Sequence, residues 1–272
     1  MKTLTVIFTC FNRKQKTITA MKSLVEKNRS IKFRFIIVDD KSTDGTVEAI
    51  KKLDYDSEII TGTGKLYWCG GMRIGIDRYL NINDGTDCLL VNDDVDFYPA
   101  AIEKIVKQLS GRKDTVIVGA TCDKKGRITY GLRKNRDKDS IWMVTIEPNV
   151  DEELGESMNA NCVLIPYEIA RKIGNMDPVY THSLGDYDLG FRIHRMGYRL
   201  VSSYEYVGIC EENSFENTWR DATLSRKERL KKKESPKGSP AKEWWHFLYK
   251  NYGRIKAIKY SITPYVRILI GK

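Results

Sequence analysis

Short apolar runs and helically spaced apolar residues alternate along the first two-thirds of the chain. Apolar runs rich in β-branched residues predict strands at 4–9, 33–38, 88–91, 116–119, 141–146 and 160–165. Apolar residues that recur every three or four positions predict helices at 16–27, 47–53, 100–109, 167–173 and 186–196. Strands and helices that alternate at this spacing form βαβ units around a mostly parallel sheet. We therefore predict an α/β domain over residues 1–218.

The C-terminal part of the chain has a different pattern. Residues 219–243 are polar, contain three consecutive lysines and are interrupted by two Ser-Pro pairs, which predicts a basic linker. Residues 244–272 are rich in aromatic and basic residues and predict an amphipathic helical tail. The apolar side of this helix comprises Trp244, Leu248, Tyr252 and Ile255. Its basic side comprises His246, Lys250 and Arg254.

The net charge of +10 on the 272 residues is concentrated in that C-terminal part. Residues 219–272 contain 15 Lys and Arg against 4 Asp and Glu, whereas residues 1–218 contain 31 against 32. Basic, aromatic helices are typical of segments that lie at the headgroup level of anionic membranes. No nucleic-acid-binding motif accompanies the charge, so we expect a membrane surface as partner and no nucleic acid. The alternative is a helix that packs against the domain with its charges solvated.

Other features of the sequence indicate the cellular compartment. The chain has no run of about 18 apolar residues, and its N-terminal apolar run ends in a polar turn without a signal-peptidase site. The six cysteines are scattered without paired spacing, which predicts reduced thiols. We therefore expect a cytoplasmic protein that associates peripherally with the inner face of the membrane.

Polar loops follow three of the predicted strands, at residues 9–13, 39–46 and 92–96. Ligands of open parallel sheets bind beyond the carboxyl ends of the strands, so these loops are candidates for one site. The second and third loops are rich in aspartate, and crowded carboxylates need a compensating cation. Mg²⁺ or Mn²⁺, held by one or two carboxylates and by substrate phosphates, fits this pattern. The alternative for residues 39–44 is a helix N-cap.

Four segments of the chain, in this order, resemble motifs of family 2 glycosyltransferases with the GT-A fold, a Rossmann-like, mostly parallel sheet with flanking helices. Residues 38–46 are similar to the donor-binding loop, and residues 92–94 (Asn-Asp-Asp) lie where the family has its DxD-type motif. Residues 185–192 resemble the acceptor-side motif, and residues 68–76 a donor-sugar segment of bacterial polysaccharide members. The resemblance covers residues 3 to about 210.

The resemblance implies a role for individual side chains. Thr9, Phe11 and Arg13 are expected in the nucleotide pocket, and Asp40 is expected to accept a hydrogen bond from a pyrimidine N–H. A further set, Trp68, Gly71, Arg73, Asn92 and Asp93, is expected to bind the donor. Asp94 is expected to bind the metal, and Asp186 to act as general base toward the acceptor hydroxyl.

Some positions leave alternatives open. Gly185 stands where the family usually has Glu, which removes one carboxylate from the acceptor side. Asp96 allows residues 94–96 to be the metal-binding motif instead of residues 92–94. Asp188 either supports the general base Asp186 from a neighbouring position or is a first-turn residue favoured by the helix dipole. Trp68 either stacks on a sugar or packs in the core, and the Gly70–Gly71 pair either admits the donor or forms a turn.

The resemblance implies an inverting glycosyltransferase that transfers a sugar from a UDP- or dTDP-sugar to a glycan acceptor in cell-surface polysaccharide biosynthesis, similar to rhamnosyltransferases. The basic tail leads us to expect a lipid-linked acceptor. One alternative is a sugar-nucleotide-binding or scaffold protein with impaired catalysis. Another is a nucleotidyltransferase, although residues 9–13 lack the glycines of a phosphate-binding loop.

Overall fold

A computed structural model describes residues 1–271, which form a central mixed sheet with helices on both faces. The strands are β1 (Lys2–Cys10), β2 (Ile31–Asp39), β3 (Ser57–Thr61), β4 (Asp87–Val91), β5 (Asp96–Phe97), β6 (Thr115–Val118), β7 (Thr121–Cys122), β8 (Leu132–Asn135), β9 (Met143–Thr145), β10 (Leu154–Gly155), β11 (Ser157–Met158), β12 (Cys162–Ile165), β13 (Arg199–Ser202) and β14 (Gly208–Ile209). The helices are α1 (Lys14–Glu26), α2 (Thr46–Lys51), α3 (Tyr67–Ile82), α4 (Ala101–Leu109), α5 (Tyr167–Ile173), α6 (Gly185–Arg195), α7 (Arg226–Lys233), α8 (Ala241–Ser261) and α9 (Thr263–Leu269), with a short 3₁₀ turn at Pro236–Gly238.

The central sheet has the strand order β10-β13-β6-β12-β4-β1-β2-β3. Strands β4, β1, β2 and β3 run parallel to one another, whereas β12 is antiparallel to both β4 and β6. Two small sheets, β11-β8-β9 and β5-β14-β7, flank it. The carboxyl ends of β1, β2 and β4 therefore meet at one edge, as the sequence pattern predicts.

Alternation along the strands fills a core on each face of the sheet. Leu4, Val6 and Phe8 face the same cluster as apolar residues of α1 and α4. Ile7 and Ile36 face the opposite cluster, which includes residues of α3 and α6. Successive side chains of a strand point to opposite faces, so a strand buried on both faces must be apolar throughout. This explains the continuous apolar runs at residues 6–8 of β1 and 35–38 of β2.

The α/β fold and the mostly parallel sheet are confirmed. Helix α3 was not predicted, since its glycine pair weakens the helical pattern, and β12 enters the sheet antiparallel. All six cysteines are buried and unpaired, as expected.

The C-terminal segment, predicted as a basic linker and an amphipathic helical tail, contains helices α7, α8 and α9. Helix α7 lies within residues 219–243, and the first half of α8 packs on the domain through Phe247 and Leu248, which are buried. Lys250 Nζ reaches 2.8 Å from Asp177 and 2.8 Å from the fully buried Asp188 of α6. Packing against the domain, the alternative to a free amphipathic helix, therefore describes the first half of α8.

Helix α8 is kinked at Gly253, whose φ of 80° lies in the left-handed region. Beyond the kink, α8 and α9 leave an apolar face open to solvent, and we call it the outer face. It comprises Ile255, Ile258, Ile262, Val266, Leu269 and Ile270. Within residues 1–271, none of the helices combines the length and the apolar character needed to cross a bilayer.

Candidate active site

The loops after β1 and β2 are tied together by backbone and side-chain hydrogen bonds. The backbone N–H of Asn12 donates to Ser42 Oγ at 2.9 Å, and the N–H of Thr43 donates to Asn12 Oδ1 at 2.7 Å. Asn12 has a φ of 49°, a conformation that asparagine tolerates well. Between these loops Phe11 is 48% exposed, so its ring is accessible to a planar ligand. Thr9 points away from this opening and donates to Val38 O at 2.9 Å.

Asp40 organises the loop that leads into α3. Its Oδ1 accepts the N–H of Gly64 at 2.6 Å, and its Oδ2 accepts the N–H groups of Leu66 and Tyr67 at 2.8 and 3.3 Å. A carboxylate offers about four acceptor positions, so Asp40 keeps the capacity for one more donor. None of the aspartates of residues 39–44 is the N-cap of α2, which is Gly45. Asp44 precedes it, and its Oδ1 accepts the N–H of Thr46 at 3.1 Å.

Arg13 holds both aspartates of the 92–94 motif. Its Nη1 lies 2.7 Å from Asp93 Oδ1, and its Nη2 lies 2.6 Å from Asp94 Oδ2. Asp93 is buried, and its second oxygen accepts a hydrogen bond from Thr17 at 3.2 Å. Burial raises the pKa of Asp93 to about 6, although the charge of Arg13 opposes this shift. Burial also acts to lower the pKa of Arg13, but the charges of Asp93 and Asp94 raise it overall.

The environment of Asp94 fits a metal that is bound together with a substrate. Its Oδ1 lies 3.6 Å from Cys210 Sγ, and its side chain is 18% exposed. Among residues 1–271, no group of three or more acidic, His or Cys side chains is arranged to hold an ion alone. Mg²⁺ or Mn²⁺ commonly takes one or two carboxylates and completes its shell with phosphate and water, so Asp94 is sufficient as a protein ligand. A cavity beside Asp94 is also lined by Asp96, Glu211 and Glu212.

The start of α3 connects the two acidic regions. The indole Nε1 of Trp68 donates to Asn92 Oδ1 at 2.9 Å, and the backbone N–H of Trp68 donates to His182 Nδ1 at 3.4 Å. Trp68 therefore lies between the Asp93–Asp94 loop and the turn that precedes Asp186. Its hydrogen bond to Asn92 combines the packing and polar functions that an indole allows.

Gly71 and Arg73 fix the position of α3. A Cβ on Gly71 would lie 2.2 Å from Thr9 Oγ1, so glycine allows the helix to pack directly on β1. Arg73 Nη1 donates to Tyr180 O at 2.5 Å, which holds the segment before α6. Gly70 and Gly71 lie in a helix rather than in a turn. The structure thus gives Thr9, Gly71 and Arg73 structural contacts, and their contact with a donor stays a prediction.

Asp186 lies in the first turn of α6, at a partly open position. Its Oδ1 accepts the N–H of Tyr187 at 2.9 Å, and its Oδ2 accepts the N–H of Ala160 at 3.4 Å. Burial raises the pKa of Asp186 to about 6, and these hydrogen bonds reduce the shift. A carboxylate whose pKa lies near neutrality is matched to general-base catalysis, because it is ionised at pH 7 and still basic enough to accept a proton.

Gly185 and Asp188, which lie on either side of the candidate base Asp186 in α6, have packing functions. A Cβ on Gly185 would lie 2.6 Å from Cys69 Sγ, so no larger residue fits there without rearrangement. Asp188 points away from the site and accepts hydrogen bonds from Lys250 at 2.8 Å and Asn251 at 3.1 Å. Cys210 and Lys250 were missed in the sequence because they lie far along the chain from the acidic motifs.

The fold and this arrangement of acidic loops define a glycosyltransferase of the GT-A type. The model of "Glycosyl transferase family 2" matches residues 5–167, and the chain belongs to that family. No curated protein matches the chain.

Solved structures with the same fold have low sequence identity to this chain. The mannosyltransferase PcManGT from Pyrobaculum calidifontis, in complex with GDP-Man and Mn²⁺, is 14% identical with a TM-score of 0.59, over 98% of this chain and 73% of that one. GalNAc-T7, with UDP, GalNAc and Mn²⁺, is 12% identical with a TM-score of 0.60, over 78% of this chain and 44% of that one. S. aureus TarS 1-349 is 12% identical with a TM-score of 0.57, over 98% and 81%.

Proposed function

We propose that the protein transfers a sugar from a pyrimidine nucleoside diphosphate donor, UDP or dTDP, to a glycan acceptor with inversion at the anomeric carbon. The observation that carries this proposal is the position of Trp68, which contacts both the Asn92 side chain and the turn before Asp186. It indicates that the carboxylates expected on the donor diphosphate and on the acceptor line one cleft. Two of the similar structures hold a nucleotide or nucleotide sugar with Mn²⁺, which supports the same chemistry here.

In the proposed reaction Asp186 takes the proton of the acceptor hydroxyl while that oxygen attacks the anomeric carbon. The new glycosidic bond forms as the bond from that carbon to the diphosphate oxygen breaks, so a single displacement inverts the centre. Phe11 would contact the base and Asp40 its ring N–H. Asp94 would hold a Mn²⁺ or Mg²⁺ ion, which neutralises charge on a leaving diphosphate when bound. Arg13 would keep Asp93 and Asp94 in place.

The location of the reaction follows from the outer face. Its apolar residues are flanked by Arg254, Lys256, Lys259 and Arg267, and such a face favours the headgroup region of an anionic membrane. We infer peripheral attachment to the inner face of the cell membrane. A lipid-linked glycan of cell-surface polysaccharide biosynthesis is the acceptor class that such a location favours.

A donor screen tests the proposal. Purified protein with Mn²⁺ or Mg²⁺ is incubated with UDP-, dTDP- and GDP-sugars, and nucleoside diphosphate release is followed for the wild type, Asp94→Ala and Asp186→Ala. Release from one pyrimidine donor, lost in both variants, is the expected result. Release from a GDP-sugar alone would overturn the assignment of a pyrimidine donor. If calorimetry detects no binding of any nucleotide to the protein, a scaffold role is favoured. Pyrophosphate release from a nucleoside triphosphate and sugar phosphate would indicate a nucleotidyltransferase.

A further inference from the structure

A cavity of about 130 Å³ lies between the acceptor-side turn and the C-terminal helices. The aromatic rings of Trp142, Trp219 and Trp244 form part of its wall. Leu184, which also lines it, precedes Asp186 by two residues, so the cavity adjoins the candidate base. A single water needs only about 10–15 Å³ of such space, so the cavity can hold a larger polar group.

The cavity contains three cationic side chains, from Arg220, Lys233 and Arg267. Lys233 is 1% exposed and donates to Ser239 O, and burial lowers its pKa. Arg220 lies at the open side, where burial and the charge of Arg267 lower its pKa. The charges of Glu234 and Glu243 partly compensate Lys233. The guanidinium groups of Arg220 and Arg267 repel each other unless an anion joins them.

The two arginines have no acidic partner in the structure. Within residues 1–271, neither Arg220 nor Arg267 lies within ion-pair distance of a carboxylate. The guanidinium of Arg220 instead lies over the rings of Phe215 and Trp219, with its carbon 5.1 and 5.3 Å from their centroids. This stacking orients the guanidinium while its N–H groups stay free to donate to an anion.

The segment that supplies these residues is held in place. Arg229 is 2% exposed, and its Nε donates to Trp219 O at 2.8 Å, which anchors the chain next to Arg220. Trp244 Nε1 donates to Tyr260 O at 3.1 Å and joins the two halves of α8 across the kink. The cavity wall is therefore built by ordered contacts.

The cavity also adjoins the outer face. Helix α9 contributes Pro264 and Arg267 to the cavity, whereas Val266 and Leu269 of the same helix are exposed. A molecule with a phosphate in the cavity could extend an apolar chain along these exposed residues. The cationic cavity, the exposed apolar residues of α9 and the turn that precedes Asp186 therefore lie next to one another.

We propose that this cavity binds the phosphate of an amphiphilic acceptor, whose apolar chain lies on the outer face and whose sugar hydroxyl reaches Asp186. The part of this inference that brings a sugar hydroxyl to Asp186 rests on the proposed glycosyltransferase function. Phosphate and arginine pair through two parallel hydrogen bonds, which gives arginine an advantage over lysine at such a site.

Calorimetry on the full-length protein tests the cavity with simple probes below their micelle concentrations. The probes are octyl phosphate, octyl β-glucoside and inorganic phosphate. Octyl phosphate is expected to bind, with about tenfold weaker affinity in Arg220→Gln and in Arg267→Gln, since each loses a hydrogen bond between charged groups. Arg226→Gln, which removes an exposed charge from the same segment, is the matched control and should bind as the wild type does.

Other outcomes would overturn the proposal. Equal weakening in Arg226→Gln would mean non-specific attraction, and binding of octyl β-glucoside as tight as octyl phosphate would mean that the phosphate is not recognised. If inorganic phosphate binds as tightly as octyl phosphate, the apolar chain contributes nothing to the affinity. If Arg267→Gln unfolds, Trp142→Ala, at an exposed wall position, replaces it and should also weaken octyl phosphate.

Binding of UDP with Mn²⁺, measured in the same variants, separates this inference from the proposed function. UDP binding that persists while octyl phosphate fails to bind would reject the cavity proposal alone. Octyl phosphate binding without any nucleotide binding would reject glycosyl transfer, and with it the assignment of the cavity to an acceptor.

Discussion

The Nη2 atom of Arg13 lies 2.6 Å from Asp94 Oδ2, so the carboxylate proposed for metal binding is already paired with a cation. The same guanidinium also compensates Asp93 at 2.7 Å. A divalent ion at Asp94 must therefore compete with Arg13 for that oxygen. Conversely, Arg13 explains how two adjacent aspartates are held together before substrate arrives.

Replacing Arg13 by glutamine should tighten the binding of Mn²⁺ by about tenfold, because a competing unit charge is removed from the neighbourhood of Asp94. Electron paramagnetic resonance of free Mn²⁺ at saturating UDP measures this affinity. Arg78→Gln is the control, since Arg78 forms a comparable ion pair with Glu58 at 2.7 Å elsewhere on the surface. An unchanged affinity in Arg13→Gln would argue against Asp94 as the metal ligand.

Activity should fall as the pH is lowered through about 6, because the pKa of Asp186 is raised to about 6 by burial and a protonated base cannot accept the acceptor proton. The profile of kcat/KM against pH checks this. Asp186→Asn should lower kcat by about a hundredfold to ten-thousandfold. The pKa of Asp93 is also about 6. If Asp186 causes the loss of kcat/KM at low pH, that loss must persist in Asp93→Asn.

The packing of Gly185 on Cys69 predicts a rescue experiment. Gly185→Ala should destabilise the fold by about 1–3 kcal/mol, because its Cβ would lie 2.6 Å from Cys69 Sγ. Cys69→Ala removes the clashing Sγ and keeps a Cβ that would lie 3.6 Å from the new methyl group, so Gly185→Ala should cost much less in the Cys69→Ala background than in the wild type. Denaturant unfolding of the four proteins of this cycle measures the coupling; additive effects would contradict the steric explanation.

Lys250→Met should destabilise the protein by about 2 kcal/mol, since it leaves the buried Asp188 with one charged partner fewer. Burial acts to raise the pKa of Asp177, but hydrogen bonds from Lys250, Val179 N–H and His246 lower it to about 2. This lowered pKa stabilises the fold above the ordinary value near 4 and ceases to do so as the pH falls through about 2. The difference between wild type and Lys250→Met in urea unfolding should therefore shrink between about pH 5 and pH 2.

Membrane attachment should depend on the outer face. Ile258→Asp with Ile262→Asp should reduce sedimentation with phosphatidylglycerol vesicles, because both side chains are more than half exposed and lose their apolar contribution. Nucleoside diphosphate release in solution should be unaffected. Val150→Asp, at an exposed site elsewhere, is the matched control. Equal sedimentation of all three proteins would exclude the outer face as the attachment site.

The sequence predicted β1, β2 and β4 because each contains a continuous run of buried apolar residues. It did not predict β3, β10 and β13 of the same sheet, which are short or mostly not apolar. It also predicted where polar loops meet, because parallel strands end at one edge. The Arg13 pair with Asp94 could not be predicted, since the two residues are far apart in the chain and no local pattern links them. Likewise, the anchoring of α8 depends on Asp188, whose acidic character alone does not reveal a partner in Lys250.

The ion pair between Lys250 and Asp188 limits how this protein can be recombined with its relatives. A chimera that exchanges only the C-terminal helices leaves the buried Asp188, in the helix that also carries Asp186, without its charged partner unless the incoming helix supplies a cation at position 250. A functional hybrid would need to exchange α6 and α8 together. Helix α8 and the helix that carries Asp186 thus form one inheritable unit, although about 60 residues separate them in the sequence.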